Sequence, residues 1–435
     1  MINNKIKCII ALIALSVTFG SCRKFLKQEL NNDPTALEYP DPVVMLPTAI
    51  ANLAYYYGGD LTRYDALITQ QVNGGGNQWI SLENYNFVDA DFDNVWNGLY
   101  VTTLNNLART GEYCKEKNYV HYLGITKILS AFTYATLVDH FNDIPYTEAL
   151  QGIELLQPKF DDASGIYTSL HTQLNEGIAL LDEVNEGRAP SNDDLLFGGD
   201  TDSWKAFAHA IKARMYMHTK NYTEAKAELG MAGGIDAKMV FTSPSSGPMY
   251  QFDDNRFGDI EYMGSYIYNE MTTIGDSRIY NYVDTAFNSL GATYYRADQP
   301  VFLISAMEQK FMEAEILARA GDASAAASLE SAVAMSYDFV NGDTTGMAAS
   351  LATYPYNDAD PLSDRLKAVM MQKYFAMFLQ PESFADYRRT GYPELTATSG
   401  PSVPRRFLYP TDEKNTNPNT PSGVTLFLPR VFWDN

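Results

Sequence analysis

The chain holds 53 acidic residues but only five histidines, and its densest run of carboxylates is Asp89-Ala-Asp-Phe-Asp93. Two carboxylates facing each other across a cleft would serve glycoside hydrolysis. The same run, D-x-D-x-D-N, opens like a calcium loop. It fails at the places that need a bending glycine and a closing glutamate, where Asn94 and Tyr100 stand. A solvated acidic loop is the expectation. The histidines at 121, 140, 171, 209 and 218 show no H-E-x-x-H spacing, and His209 and His218 fall on different sides of one helical segment. No G-x-S-x-G occurs, and the glycines at 74–76 lack the Lys-Ser/Thr of a phosphate loop. Of three cysteines none forms a C-x-x-C pair. The expectation is a binding protein with no catalytic constellation, no cofactor and no metal.

Binding chemistry is better represented. Sugars present apolar C–H faces and rims of hydroxyls, so a site for them pairs aromatic platforms with amides, carboxylates and guanidinium groups. Two loops supply that mixture. In NGGGNQWISLENY, Asn77, Gln78, Trp79 and Tyr85 follow a glycine run. In GDSRIYNYV and ATYYRADQ, Asp276, Arg278, Tyr280, Tyr282, Tyr294, Tyr295 and Arg296 gather. Two other readings stand beside these. Trp79 could fold onto the core, and the alternation Tyr280/Tyr282 could be one face of a short strand. Trp96, Trp204 and Trp433 lie on apolar helical faces or in the tail and are expected to pack.

The elements that must hold these loops are mostly helical. Helical patterns run over Val43–Tyr57, Leu61–Val72 and Asp93–Thr110. The clearest lies in 121–150, where Ile125, Ile128, Leu129, Phe132, Ala135 and Val138 recur at helical spacing. Asn142–Pro145 stops that helix, and Tyr146-Thr-Glu-Ala149 is expected to begin the next. The same plan returns in 204–229, turning at Asn221-Tyr222, and in 301–332, turning at Gly321-Asp322. Such units resemble tetratricopeptide pairs, in which neither helix buries its face alone. Their turns at Tyr146, Tyr222 and Asp322 are not evenly spaced, so insertions separate them. The largest, about 240–300, is rich in Gly, Ser, Asp and Tyr and is expected as irregular surface structure with room for short strands. The fold class is therefore mainly α, a scaffold of helical pairs carrying long binding loops.

The N-terminus gives an address. Met1–Lys7 is polar and basic, Cys8–Phe19 is apolar but shorter than a bilayer span, and Gly20-Ser21-Cys22 resembles a lipobox. Residues 1–21 are expected as a signal peptide, Cys22 as the acylated first residue, 22–42 as a tether and 43–435 as one helical domain. The net charge is −21. Losing Lys5 and Lys7 leaves 30 cations against 53 acids, or −23. That balance disfavours nucleic acid and anionic membrane surfaces, leaving the lipid anchor as the membrane contact.

Four stretches together resemble the SusD/RagB-like nutrient-binding outer-membrane lipoproteins. They are CRKFL after the lipobox, FNDIPYTEAL (141–150), FMEAEILAR (311–319), and PESFADYRRTGYP (381–393) followed by RRFLYP (405–410). Asn142 stands where that family usually has glycine, and Phe384 where the subgroup has tryptophan. The resemblance implies a lipid-anchored protein on the cell exterior that captures a glycan or peptide nutrient and passes it to a TonB-dependent (SusC-like) transporter. It also implies that Asp386, Arg388 and Arg389 form a buried or half-buried charge network tying the last helix to the repeat core, with a ligand role for Arg388 or Arg389 as the alternative. A surface glycoside hydrolase and a protein-holding scaffold are the rival readings.

Overall fold

A computed structural model describes residues 41–434; Cys22, the signal segment and most of the tether lie outside the described residues. Helix α1 (Pro42–Tyr56) starts where the Asp41 carboxylate accepts a hydrogen bond from Val43 N at 3.0 Å, with proline in the first turn. It buries Leu46, Ala49, Ile50 and Leu53, one face at helical spacing. A π-helical turn at Tyr57–Leu61 leads into α2 (Thr62–Ile68). The main array then runs through α3 (Asn105–Lys117), α4 (Val120–Phe141), α5 (Ala163–Asp182), α6 (Thr201–His218) and α7 (Tyr222–Ala232). It continues through α8 (Ala306–Ala320), α9 (Ala325–Asn341), α10 (Leu362–Ala376) and α11 (Glu382–Thr390). The pairs α4/α5, α6/α7 and α8/α9 pack as hairpins, and α5 on α6 and α7 on α8 join the pairs into one stack. A Cβ on Gly124 would sit 2.9 Å from Gly177 O, which shows how closely α4 and α5 approach.

The first pair closes differently from the sequence expectation. Tyr146–Leu150 is a turn, and the second helix begins only at Ala163. The Asp161 carboxylate accepts from Tyr146 N at 2.9 Å, Thr147 N at 2.8 Å and Thr147 Oγ1 at 2.8 Å, so these donors are drawn away from helix initiation. Asn142 takes φ +69 and ψ −113, a backbone region that favours glycine, and its Oδ1 accepts from Phe432 N at 2.7 Å.

The 240–300 insertion is also corrected. It contains the helices Pro248–Asn255, Tyr266–Ile274 and Ile279–Tyr282, and contributes Tyr262, Ile267, Met271, Tyr282 and Leu290 to the main core. Short antiparallel pairs stitch it down: Asn73–Gly74 with Ile260–Glu261, and Val283–Asp284 with Ser289–Leu290. Ala237–Val240 pairs with Pro300–Ile304 at its two ends. Its hydrophobic residues are spread over short elements, so no window is long enough to show a period.

Charges hold the late helices to the stack. Arg389 donates to Glu315 on α8 at 2.6 Å and to Asp386 at 2.6 Å, and Lys373 on α10 lies 2.7 Å from Asp386. Arg388 lies over the rings of Phe384 and Trp433, at 3.9 and 4.6 Å, and donates to Asp139 O at 2.5 Å. His218, fully buried on α6, touches Glu382 at 2.9 Å and Asp139 at 3.3 Å. Burial alone would push this imidazole down, but the two carboxylates outweigh burial and hold it up at about 9. Stability from the charged ring is full below its unfolded value of about 6.5 and is lost as pH rises through about 9. The His218 ring resonance in an NMR titration is expected to move with a midpoint near 9; a midpoint at or below the unfolded value would overturn this assignment.

Candidate functional site

The described surface brings together three tyrosines that the sequence scatters. Pro248 starts the helix Pro248–Asn255, which turns Pro248, Met249 and Asp253 inward, with Asp253 accepting from Tyr262 OH at 3.0 Å. Its outer face then carries Tyr250, Gln251 and Asp254 at i, i+1 and i+4. Tyr295 reaches over from the following loop, its ring centroid 4.9 Å from that of Tyr250 and inclined by 47°. Tyr295 OH donates to Asp254 Oδ1 at 3.0 Å, and this bond holds the phenol up at about 12. Gln251 Nε2 donates to Tyr55 OH at 3.0 Å, which ties in the outward tyrosine of α1. Tyr55 is 39% exposed and Tyr295 41%. Arg296 and Asp298 form a two-bond ion pair at 3.0 Å at the edge. The cavity beneath is only about 30 Å³, lined by Tyr57, Gly58, Tyr250 and Arg296, so a ligand would lie on the rings rather than sink between them.

Aromatic faces beside a carboxylate, an amide and a guanidinium make a surface suited to a polyhydroxylated ligand. Of the residues singled out from sequence, Tyr295 and Arg296 belong to it. Asn77 and Gln78 are exposed nearby along the chain segment that packs on 256–259: Asn77 Nδ2 donates to Asp259 Oδ1 at 2.5 Å, and Gln78 Oε1 accepts from Arg256 at 3.1 Å. Tyr280 is 62% exposed, on a separate short helix.

Six other candidates are corrected, because the structure folds them inward. Trp79 is 2% exposed, wedged against Tyr64 and Phe252 at 5.8 and 5.3 Å. The glycine run allows this: a Cβ on Gly74 would fall 2.0 Å from Trp79 O, so those glycines serve close packing. Tyr85 is buried against Gln70, whose Nε2 donates to its OH at 3.3 Å. Asp276 and Arg278 are both fully buried and pair with each other. Tyr282 and Tyr294 stack around Phe378, and their hydroxyls donate to Phe375 O and Phe378 O at 2.9 and 3.1 Å. Buried tyrosines with satisfied hydroxyls are core residues. Sequence reasoning missed Tyr55, Tyr250, Gln251 and Asp254; for the last three the signal was P-M-Y-Q-F-D-D, a helix-starting proline with inward Met249 and Asp253 four apart and Tyr250 and Asp254 four apart on the outer face.

The acidic run 89–93 anchors the tail: Asp89 pairs with Lys414 at 2.6 Å, and Asp93 accepts from Thr411 N at 2.9 Å. Asp91 accepts from Val88 N at 2.7 Å. Among the described residues no group of three or more His, Cys, Asp or Glu side chains is placed to hold a metal ion. No helix among them is long and apolar enough to cross a membrane.

A stack of helical hairpins displaying one aromatic and polar surface defines a helical-repeat binding scaffold. The particular family follows from comparison. The SusD-like family described as "starch-binding associating with outer membrane" matches residues 34–294 and 284–410, and the chain belongs to it. No curated protein sequence matches. Among solved structures, a SusD/RagB family protein from Bacteroides thetaiotaomicron is similar at 21% identity and a TM-score of 0.75, over 91% of this chain and 99% of that one. A chitin-binding SusD homolog from Flavobacterium johnsoniae is similar at 20% identity and 0.76, over 89% and 97%. At these identities the likeness establishes a shared fold.

Proposed function

We propose that this protein captures an oligosaccharide on the Tyr55/Tyr250/Tyr295 platform, held to the outer membrane by a lipid on Cys22 and facing the cell exterior. It hands the ligand to a TonB-dependent, SusC-like transporter and does not itself cleave it. The observation that carries this reading is the platform: Tyr55 bonded to Gln251, Tyr295 bonded to Asp254, and Tyr250 packed ring to ring against Tyr295. The family's starch-binding description and the chitin-binding neighbour favour a glycan over a peptide. Asn77, Gln78 and Tyr280 remain proposed outer contacts for a longer ligand.

Calorimetric titration against a panel of starch, chitin and plant oligosaccharides, with peptides alongside, tests it. Tyr250→Ala removes one sugar-stacking ring, an expected loss of about 2 kcal/mol or roughly thirtyfold in affinity. Unfolding should be nearly unchanged, because Tyr250 is only partly buried. Binding to peptides alone, or turnover of a glycan, would refute the reading.

A further inference from the structure

A second concavity, about 240 Å³, is lined by Phe302 of strand Pro300–Ile304 and by Asp236, Met307, Met335, Asp338 and Phe339. Tyr294, Phe302 and Gln380 line both concavities, so the groove lies directly beside the small cavity beneath the platform. Phe302 and Phe339 meet edge to face across this groove, centroids 5.7 Å apart, with Met335 and Met307 beside them. Two carboxylates flank these apolar walls. Asp236 spends Oδ1 on Ala306 N at 2.8 Å. The Asp338 carboxylate and the Gln380 amide make no side-chain hydrogen bond or ion pair among the described residues.

An aromatic face next to a carboxylate is the arrangement that holds an ammonium group, through the ring quadrupole and the opposite charge together. The chain demonstrates it at the rim. Lys238 places its own ammonium 5.5 Å over the Phe302 ring and 3.4 Å from Asp236 Oδ2. Lys238 answers only Asp236, so the charge of Asp338 stays unbalanced within an overall net charge of −21. A uronate or sulfated sugar would meet repulsion here. A neutral sugar would leave Asp338 without a counter-charge.

We infer that this groove is a subsite for an amino sugar bearing a free ammonium group, with Asp338 as its counter-ion and Phe302 and Phe339 as its cation-binding faces. The inference rests on the glycan-capture reading above and narrows the ligand to glycans with de-N-acetylated hexosamine units. The volume admits one pyranose ring, and the shared lining residues set it beside the platform.

The test titrates a glucosamine tetramer and its fully N-acetylated counterpart into wild type, Asp338→Asn and Lys238→Met. Asp338→Asn is expected to weaken the glucosamine tetramer about tenfold and the N-acetylated one by less than about twofold. Lys238→Met, by releasing Asp236, is expected to tighten the glucosamine tetramer severalfold. Independently of any variant, free glucosamine should shift the Met335 methyl resonance of wild type. Equal affinity of wild type for the two tetramers, equal losses with Asp338→Asn, or an unmoved Met335 signal would each overturn the inference. So would a Gly-Lys-Gly peptide that binds more tightly than glucosamine and is more sensitive to Asp338→Asn. The two readings fail separately: neutral glycans that bind through Tyr250 with no preference for the amine defeat the groove alone. Amine-selective binding that ignores Tyr250→Ala defeats the platform alone.

Discussion

Arg389→Ala is expected to destabilise the protein by about 3–5 kcal/mol, measured as a fall in the urea midpoint at neutral pH. The guanidinium is 1% exposed and bridges two carboxylates on different helices, Glu315 of α8 and Asp386 of α11. Glu315 is fully buried, and although burial alone would raise it, Arg389 holds its carboxyl down at about 2. Truncating the arginine therefore leaves a buried carboxylate whose remaining close cation is Arg319, at 2.7 Å, with Lys373 left to answer Asp386. The cost comes from stranding those charges rather than from the net worth of the bridge. Replacing both ends, as Arg389→Met with Glu315→Met, should recover much of the loss. A single-variant effect below about 1 kcal/mol would show that water reaches the network, contrary to its burial.

The same residues explain what could be read in the sequence. Helix α4 is legible because Ile125, Ile128, Leu129, Phe132 and Val138 repeat within 22 residues, and all five are buried. The pairs α6/α7 and α8/α9 are legible because each turn falls between two long helical patterns. The first pair is not, because a distant side chain, Asp161, decides the backbone of Tyr146 and Thr147. The candidate site fails for a related reason. A tyrosine-rich, polar stretch carries the same composition whether its rings face water or pack with bonded hydroxyls. Tyr294 and Tyr295 are adjacent, yet one donates to Phe378 O in the core and the other stacks on Tyr250 at the surface. Only the tertiary partners, Phe378 and Asp254, separate them.

That ambiguity makes Arg278→Ala the sharper of the large-effect tests, since the sequence offers Arg278 as a ligand contact. Its guanidinium donates to Asp276 at 3.0 and 2.6 Å, to Ser336 Oγ at 2.8 Å and to Gln372 Oε1 at 3.2 Å, over the Tyr337 ring. Burial would raise the Asp276 carboxyl, but the arginine outweighs burial and holds it below its ordinary value. With the arginine gone, Asp276 keeps the Ser350 hydroxyl at 2.7 Å and the backbone N of residue 278 at 3.1 Å, with no cation. An expected loss of about 3–5 kcal/mol follows, with the carboxyl moving up once its cation is gone. Glycan affinity of the molecules that remain folded should not change, measured calorimetrically at low temperature where the variant is native. Tyr250→Ala should do the reverse, losing affinity at nearly wild-type stability. If Arg278→Ala instead weakens binding while its urea midpoint stays put, the Asp276–Arg278 pair faces ligand, and the platform at Tyr250 is not the whole site.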